Sequence, residues 1–344
     1  MAKMPKVFVT GGAGFIGSAV CKHLAGDLGS YVVNVDKLTY AANTAGLKTL
    51  AALPNYTFVQ QDICNGAAML EIMRREHIDC IMHLAAESHV DRSIDGPADF
   101  IQTNIAGTFM LLEAARSYWS GLPAEKAAQF RFHHISTDEV FGDLPFDGTR
   151  FTEDSPYKPS SPYSASKASS DHLVRTWHHT YGLPIVTSNC SNNYGPCQFP
   201  EKLIPLMILS GLKGKPLPVY GTGNNVRDWL HVDDHAQALA IILTRGEIGR
   251  SYNVGGNAES SNLDVVKAIC DQLDKRMPRH DGSSYRKLIS FVTDRPGHDR
   301  RYAVDASRVM NELGWKPSKN FAQGLAETVD WYLDNEAWWQ ACHK

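Results

Sequence analysis

Ser136, Thr137, Asp138 and Glu139 place two hydroxyls and two adjacent carboxylates directly behind the apolar run FRFHHI. Neighbouring carboxyls resist double ionisation, so one proton is shared and the pair offers an acid and a base at once. A second candidate lies in PSSPYSASKASSDHLVRTWHHTYG, where Tyr163 and Lys167 stand i, i+4 and share one helix face. A tyrosine acting as base near neutral pH must fall about three units from its ordinary pKa, a cost of about 4 kcal/mol. An ammonium about 4 Å away supplies about the same at an effective dielectric of about 20. Each feature alone has a plainer reading. The acids could form a solvated turn before Gly142, and Lys167 could simply reach along an amphipathic helix to solvent.

Elements that could position these groups are visible upstream. KVFVT, GGAGFIG, SAVCKHLAGDLG and YVVNV read as strand, glycine loop, helix and strand. Gly12, Gly14 and Gly17 fit G-x-G-x-x-G, and Gly11, Gly14 and Gly17 fit G-x-x-G-x-x-G, spacings that let backbone amides approach a pyrophosphate at a helix N-terminus. Asp36 ends the second strand, where a ribose 2′-hydroxyl is recognised; a carboxylate there favours NAD over NADP, although Lys37 beside it weakens the distinction. YTFVQQDI ending in Asp62, CIMHLAAES ending near Ser88, and FRFHHISTDE continue the alternation of strand and helix. Such a chain builds an α/β fold with a doubly wound parallel sheet, and ligands lie beyond the carboxyl ends of its strands. Asp62 and the stretch from Ala85 to Ser88 occupy that edge.

The whole chain fits this frame. Its 344 residues allow about two domains, and 43% hydrophobic with 21% charged residues is ordinary for a folded protein. A formal charge of -3 leaves no basic field for nucleic acid. No apolar run approaches the roughly 20 residues of a membrane span. The start MAKMPKVFVTGG runs straight into a strand, leaving no room for a signal peptide, and the 7 cysteines are scattered without a C-x-x-C pair; both point to a cytoplasmic protein with reduced thiols. Cys190 and Cys197 could meet across a loop, but a metal or redox pair is not expected of them.

The pair Tyr-x-x-x-Lys is that of the short-chain dehydrogenase/reductase superfamily. GGAGFIG, VDKLTYA, LAAESHVDRS, STDEV, YSASK, SNNYGP, FPEKLIPL, RDWLHVDDHA and DRPGHDRRYA together resemble its extended branch, the nucleotide-sugar dehydratases, and in particular the dTDP-glucose 4,6-dehydratase family. The resemblance spans nearly the whole chain and is most specific at Thr137-Asp138-Glu139. It implies a Rossmann fold with a smaller C-terminal substrate domain, the NAD-binding domain covering 1–190 with 225–250 packing back onto it, and a nucleotide-sugar domain over 191–344. It implies a hydro-lyase of deoxysugar biosynthesis: NAD-assisted oxidation at C4 of the glucose, loss of water across C5 and C6, and hydride return to C6.

By the same resemblance, Glu139 is the base at C5, Asp138 the acid at O6 and Tyr163 the base at the C4 hydroxyl; Thr137 orients that hydroxyl and Lys167 holds the nicotinamide ribose. NAD is expected on Gly11, Gly14, Phe15, Ile16, Gly17, Asp36, Lys37, Thr39, Asp62, Ile63, Leu84, Ala85, Ala86, Thr103, Tyr163, Lys167 and Asn193. The nucleotide sugar is expected on Ser88, Thr137, Asn192, Lys202, Leu203, Pro218, Tyr220, Arg227, Asn262, Arg295 and His298, with the two arginines suited to a diphosphate. A homodimer is also implied. Phe141 stands where the family usually has Tyr, and the segment 143–161 is short, which bears on sugar preference more than on reaction type.

Other features have simpler expectations. His231 and His235 flank Asp233 and Asp234, yet the motif is not H-E-x-x-H; Asp233 or Asp234 is expected to cap the helix HAQALAIIL, and no metal is expected. Trp331, Tyr332, Trp338 and Trp339 are read as packing. Rival functions are a UDP-glucose 4,6-dehydratase, a UDP-sugar 4-epimerase or decarboxylase on the same scaffold, and an NAD-sensing binding protein without chemistry. Thymine and uracil differ by one methyl group at the site of contact, which the motifs do not resolve.

Overall fold

Near-continuous apolar runs form the strands of the sheet, as a parallel sheet covered on both faces requires. A computed structural model describes residues 5–342; the opening residues, on which the absence of a leader was read, lie partly outside that range. The strands are β1 (Lys6–Thr10), β2 (Tyr31–Asp36), β3 (Tyr56–Gln60), β4 (Cys80–His83), β5 (Arg131–Thr137), β6 (Ile185–Cys190), β7 (Asn192–Tyr194), β8 (Leu217–Tyr220), β9 (Val226–His231), β10 (Ser251–Val254), β11 (Glu259–Ser261) and β12 (Ile289–Val292). Seven of them make one sheet in the order β10-β6-β5-β4-β1-β2-β3, every pair parallel. After β1 the chain winds to β2 and β3 on one side, then crosses to β4 on the other. The carboxyl ends of β1 and β4 therefore open a crevice at the switch point.

Both faces of that sheet are sealed. Met69, Met73, Leu111, Leu112 and Tyr118 from the helices Gly66–Glu76 and Thr108–Ser120 pack with Phe8, Ile81 and Phe132 on one side. Val20, Leu24, Leu239 and Leu243 from the helices Phe15–Lys22 and Val232–Arg245 and the turn that follows the first of them pack with Val7, Val9 and Met82 on the other. At about 25 cal/mol per Å² of apolar surface, each fully buried aliphatic side chain contributes about 1.5–3 kcal/mol.

The helix Pro162–Tyr181 is bounded as its sequence suggests. Ser161 and Ser164 form a reciprocal capping box, Pro162 sits in the first turn, and Gly182 ends the helix at φ +73°. Tyr163 and Lys167 are thereby held in successive turns.

A second core gathers Tyr194, Ile208, Trp229, Val265, Leu273, Val329 and Tyr332 around the helices Leu203–Leu212, Asn262–Arg276 and Phe321–Asp334. Trp331 and Trp338 pack against it and Trp339 is buried in it, so the tryptophans do serve packing. The helix at 232–245 departs from expectation. It begins at Val232, and the cap is the ring of His231, whose Nδ1 accepts from the Asp233 amide at 3.2 Å. Asp233 and Asp234 stand in its first turn instead, and Asp234 accepts from Ser318 Oγ (2.5 Å) and the Lys319 amide (3.0 Å).

Candidate active site

The glycine loop shows why it needs so many glycines. A Cβ on Gly11 would lie 2.6 Å from the Ala85 nitrogen, one on Gly12 2.3 Å from Asn34 Oδ1, and one on Gly17 2.1 Å from the Gly11 carbonyl oxygen. Gly11 also holds φ +74°. Gly14 is different: its Cβ would meet only the Gly11 oxygen, at 3.3 Å, so its bareness leaves space on the side of the crevice. Behind it the helix opens with amides that have no earlier carbonyl to bond, a ready anion site. Asp36 accepts from the Ala13 amide (2.9 Å) and the Leu38 amide (2.8 Å). Burial raises its carboxyl, and these amides oppose the rise. Lys37 turns away to Thr103 Oγ1 (3.1 Å) and Glu87 (3.4 Å). The residues therefore fit a dinucleotide with a free 2′-hydroxyl.

At the other end of the crevice lies the reactive cluster. Thr137 ends β5, and Asp138–Phe141 make one 3-10 turn that delivers both acids. Asp138 is 1% exposed and its Oδ2 has no partner. Burial, then the charge of Glu139, then that of Asp228 push its carboxyl well above the usual range. Glu139 remains partly open to the crevice. Burial raises it as well, but Arg295, Arg227 and Lys202 pull it down. Both carboxyls are raised, Asp138 the further, so these surroundings favour a shared proton on Asp138 over Glu139.

Tyr163 is buried beside them, and burial together with the Glu139 charge pushes its phenol well above the ordinary tyrosine value. Lys167 is buried in the turn after Tyr163 and also lines the crevice. Its Nζ donates to the Ile135 carbonyl at 2.9 Å, and burial lowers its pKa while Asp171 opposes. A positive charge in the crevice would oppose the upward pull on Tyr163. Asp171, missed in the sequence, accepts from His134 (2.8 Å), Ser136 Oγ (2.8 Å) and Tyr157 Oη (2.9 Å). Burial works to raise it, yet His134 and the Lys167 charge hold it below the usual range.

The comparisons decide which chemistry this scaffold carries. A family profile described as GDP-mannose 4,6 dehydratase matches residues 8–328. A dTDP-glucose 4,6-dehydratase of Neisseria meningitidis serogroup B is 59% identical over 98% of this chain and 96% of its own length. The chain belongs to the dTDP-glucose 4,6-dehydratase family. Among solved structures, a dTDP-glucose 4,6-dehydratase from Streptomyces venezuelae with NAD bound superposes at a TM-score of 0.88 with 42% identity, covering 98% of this chain and 99% of that one. A UDP-glucose 4-epimerase of Thermus thermophilus, also with NAD, superposes at 0.83 but at 28% identity, over 96% of this chain and 99% of that one. The backbone is common to both.

For a dTDP-glucose 4,6-dehydratase family member, the residues expected from the sequence fall into two groups. Every one expected at NAD lines the crevice, from Gly11 and Phe15 through Asp62, Leu84 and Thr103 to Asn193. Asn193, however, has its amide engaged, Oδ1 with His235 (2.9 Å) and Nδ2 with the Ser191 carbonyl (2.9 Å). Ser88, Thr137, Asn192 and Lys202 line it too, and Asn192 Oδ1 is buried without a partner.

Leu203, Pro218, Tyr220, Arg227, Asn262, Arg295 and His298 are not on that wall. Leu203 packs into the second core, Pro218 lies within the β8–β12 pair, and Asn262 opens a helix. Arg227 is 5% exposed, donating to the Val226 (2.8 Å) and Asp299 (2.9 Å) carbonyls with its guanidinium 4.2 Å from the Tyr302 ring. Arg295 and Tyr220 both bind Asp91, at 3.0 and 3.2 Å, and His298 is bonded to Asp294 at 2.6 Å. The two arginines reach the site through their charge on Glu139. Tyr40, Glu87, Phe199 and Glu201 line the crevice without having been singled out; nothing in their types or spacing marks them. Phe141 is buried and stacked on Phe151 at 5.1 Å, so the missing hydroxyl is replaced by apolar packing.

Proposed function

We propose that this chain binds NAD and converts dTDP-glucose to dTDP-4-dehydro-6-deoxyglucose with release of water. The observation that supports the residue roles is the unequal surroundings of two adjacent acids beside Tyr163: Asp138 is buried with an oxygen that has no partner, and Glu139 is partly open to the crevice and faced by the charges of Arg295, Arg227 and Lys202. NAD, when bound, supplies the acceptor for the C4 hydrogen and returns it at C6, so the net redox change is zero. Tyr163 Oη takes the proton of the C4 hydroxyl, and Thr137 Oγ1 orients that hydroxyl. The new carbonyl makes the C5 hydrogen acidic, and the Glu139 carboxylate removes it. Asp138 gives its proton to the C6 hydroxyl, which leaves as water, and Glu139 hands its proton back to C5. The proton gained by Tyr163 balances the one lost by Asp138.

Lys167 is assigned to the nicotinamide ribose, and the half spanning 191–344 to the nucleotide sugar. We also infer a homodimer, supported by Phe109, Met110 and Tyr181, which leave 38–45% of their surface open on the adjacent helices Thr108–Ser120 and Pro162–Tyr181. Among the described residues no helix is long and apolar enough to cross a membrane. A cytoplasmic setting is the reading that suits seven free cysteines.

The test is incubation of the purified protein with dTDP-glucose and, separately, UDP-glucose, reading the mass of the sugar nucleotide. Loss of one water from dTDP-glucose is expected. Loss from UDP-glucose in preference would move the assignment to the uracil nucleotide, and epimerisation without mass change would replace it.

A further inference from the structure

The mouth of the crevice is crossed by a bridge built from three separate chain segments. Tyr40 stands on the loop that follows β2, Arg92 on the short helix Val90–Asp95, and Phe199 and Glu201 on the segment between β7 and the helix at Leu203. Tyr40 Oη donates to Glu201 Oε1 at 2.8 Å. The Arg92 guanidinium lies 3.7 Å from the centre of the Tyr40 ring and its Nε is 3.3 Å from Glu201 Oε2. Phe199 meets the same ring edge-on, 5.4 Å between centres at 85°. One aromatic ring thus carries a cation on its face, an aromatic edge and a charge-assisted hydrogen bond at its tip. Burial and the Glu201 charge raise the Tyr40 phenol, which keeps it a donor.

The bridge is not core packing. Tyr40 is 43% exposed, while Tyr40, Phe199 and Glu201 also form part of the crevice wall. Its placement matters: it joins the segment that carries Asp36 and Thr39 to the one that carries Asn192 and Lys202, and all four line the crevice. The Tyr40 loop is firmly rooted away from its tip. Asn43 donates its amide to the Ala13 carbonyl at 2.7 Å, and its Oδ1 accepts from the Gly46 amide and from Trp338 Nε1, both at 2.9 Å. At the near end, Leu38 takes φ +61°. With Asn43 fixed to Ala13 and Trp338 at the base of the loop, the junction at Tyr40 is the contact nearest the crevice, and breaking it frees the loop tip.

We propose that Tyr40, Arg92 and Glu201 form a clasp across the crevice that retains NAD between turnovers. This rests on the reading of the crevice as an NAD site. A reaction that regenerates its own cofactor gains nothing from exchanging it, and a closed bridge slows escape without touching the reacting atoms. The three residues act by position; none has a place in the proton transfers above.

The experiment measures how fast NAD leaves the purified protein, trapping released NAD with an unrelated dehydrogenase, in the native chain and in Tyr40→Phe, Tyr40→Ala and Arg92→Ala. Circular dichroism and melting temperature check that each variant keeps the fold. Losing a charge-assisted hydrogen bond and a cation–π contact together should speed release about tenfold in Tyr40→Ala. Tyr40→Phe, which keeps the ring contacts and loses only the hydrogen bond, should fall between it and the native chain, as should Arg92→Ala. At saturating NAD, Arg92→Ala, whose residue is not part of the crevice wall, should turn over within about twofold of the native rate. Release rates indistinguishable from native in the folded Tyr40→Ala and Arg92→Ala variants would overturn the clasp while leaving the NAD site intact. A native protein that holds no NAD at all would overturn the reading of the crevice and the clasp with it.

Discussion

Asp138 is costly to keep where it is. A buried carboxyl with an unpartnered oxygen, next to Glu139 and near Asp228, is stable only while protonated. Because its folded pKa lies above the ordinary 3.8, the folded state binds more protons than the unfolded one above that pH. Stability from this group is therefore full below the unfolded value and is lost as pH rises through the folded one. Asp138→Asn should melt higher than the native chain on the alkaline side, with the advantage shrinking as pH falls towards about 4; a calorimetric melting series across pH checks it. The same substitution should lower dehydration about 10²–10⁴-fold, the usual worth of a positioned acid. Turnover should fall on the acid side as Glu139 protonates and on the alkaline side as Asp138 ionises. The adjacent acids were legible because they are neighbours in the chain. Their division into acid and base came only from the family resemblance, not from the residues themselves, since Arg227, Asp228 and Arg295 reach them only through the fold. The Ile135 carbonyl that anchors the Lys167 ammonium was hidden for the same reason, since it comes from a distant strand.

Among the elements, the glycine loop makes two distinguishable demands. Gly17→Ala would drive a methyl against the Gly11 carbonyl at 2.1 Å, so the turn itself must shift; both melting temperature and NAD affinity should drop. Gly14→Ala meets only a 3.3 Å contact from a backbone that alanine accepts, φ -74° and ψ 177°. It should cost about 1 kcal/mol or less in stability, as an N-cap change does, yet still weaken NAD binding. Equal losses in the two variants, by urea melts and NAD titration, would count against the crevice side of Gly14 facing the cofactor. The βαβ periodicity and the Ser161-to-Gly182 helix were readable because their caps and spacing are local. The His231 cap was not: aspartate is the commoner capping side chain, and only the fold turns the imidazole onto the Asp233 amide.

For the whole molecule, the chain returns to the first sheet late. β10, at Ser251–Val254, becomes the edge strand beside β6, and the helix Val232–Arg245 packs behind β1. Long-range pairing of this kind leaves no local signal, so a division into halves could be anticipated without the strand that laces them together. The open face at Phe109 and Met110 is the molecular-scale counterpart. Met110→Lys should shift the sedimentation coefficient from dimer to monomer with the fold retained; an unchanged coefficient would remove that face from the proposed interface.

The division of labour between the neighbouring acids is tested most directly by isotope. Asp138→Asn and Glu139→Gln would each be incubated with dTDP-glucose in heavy water, and the recovered sugar nucleotide examined for deuterium at C5. Asp138→Asn, which keeps the base, should gain deuterium at C5 while losing almost no water, and Glu139→Gln should gain none. Label in Glu139→Gln but not in Asp138→Asn would reverse the two roles, and native dehydration by either variant would contradict the account.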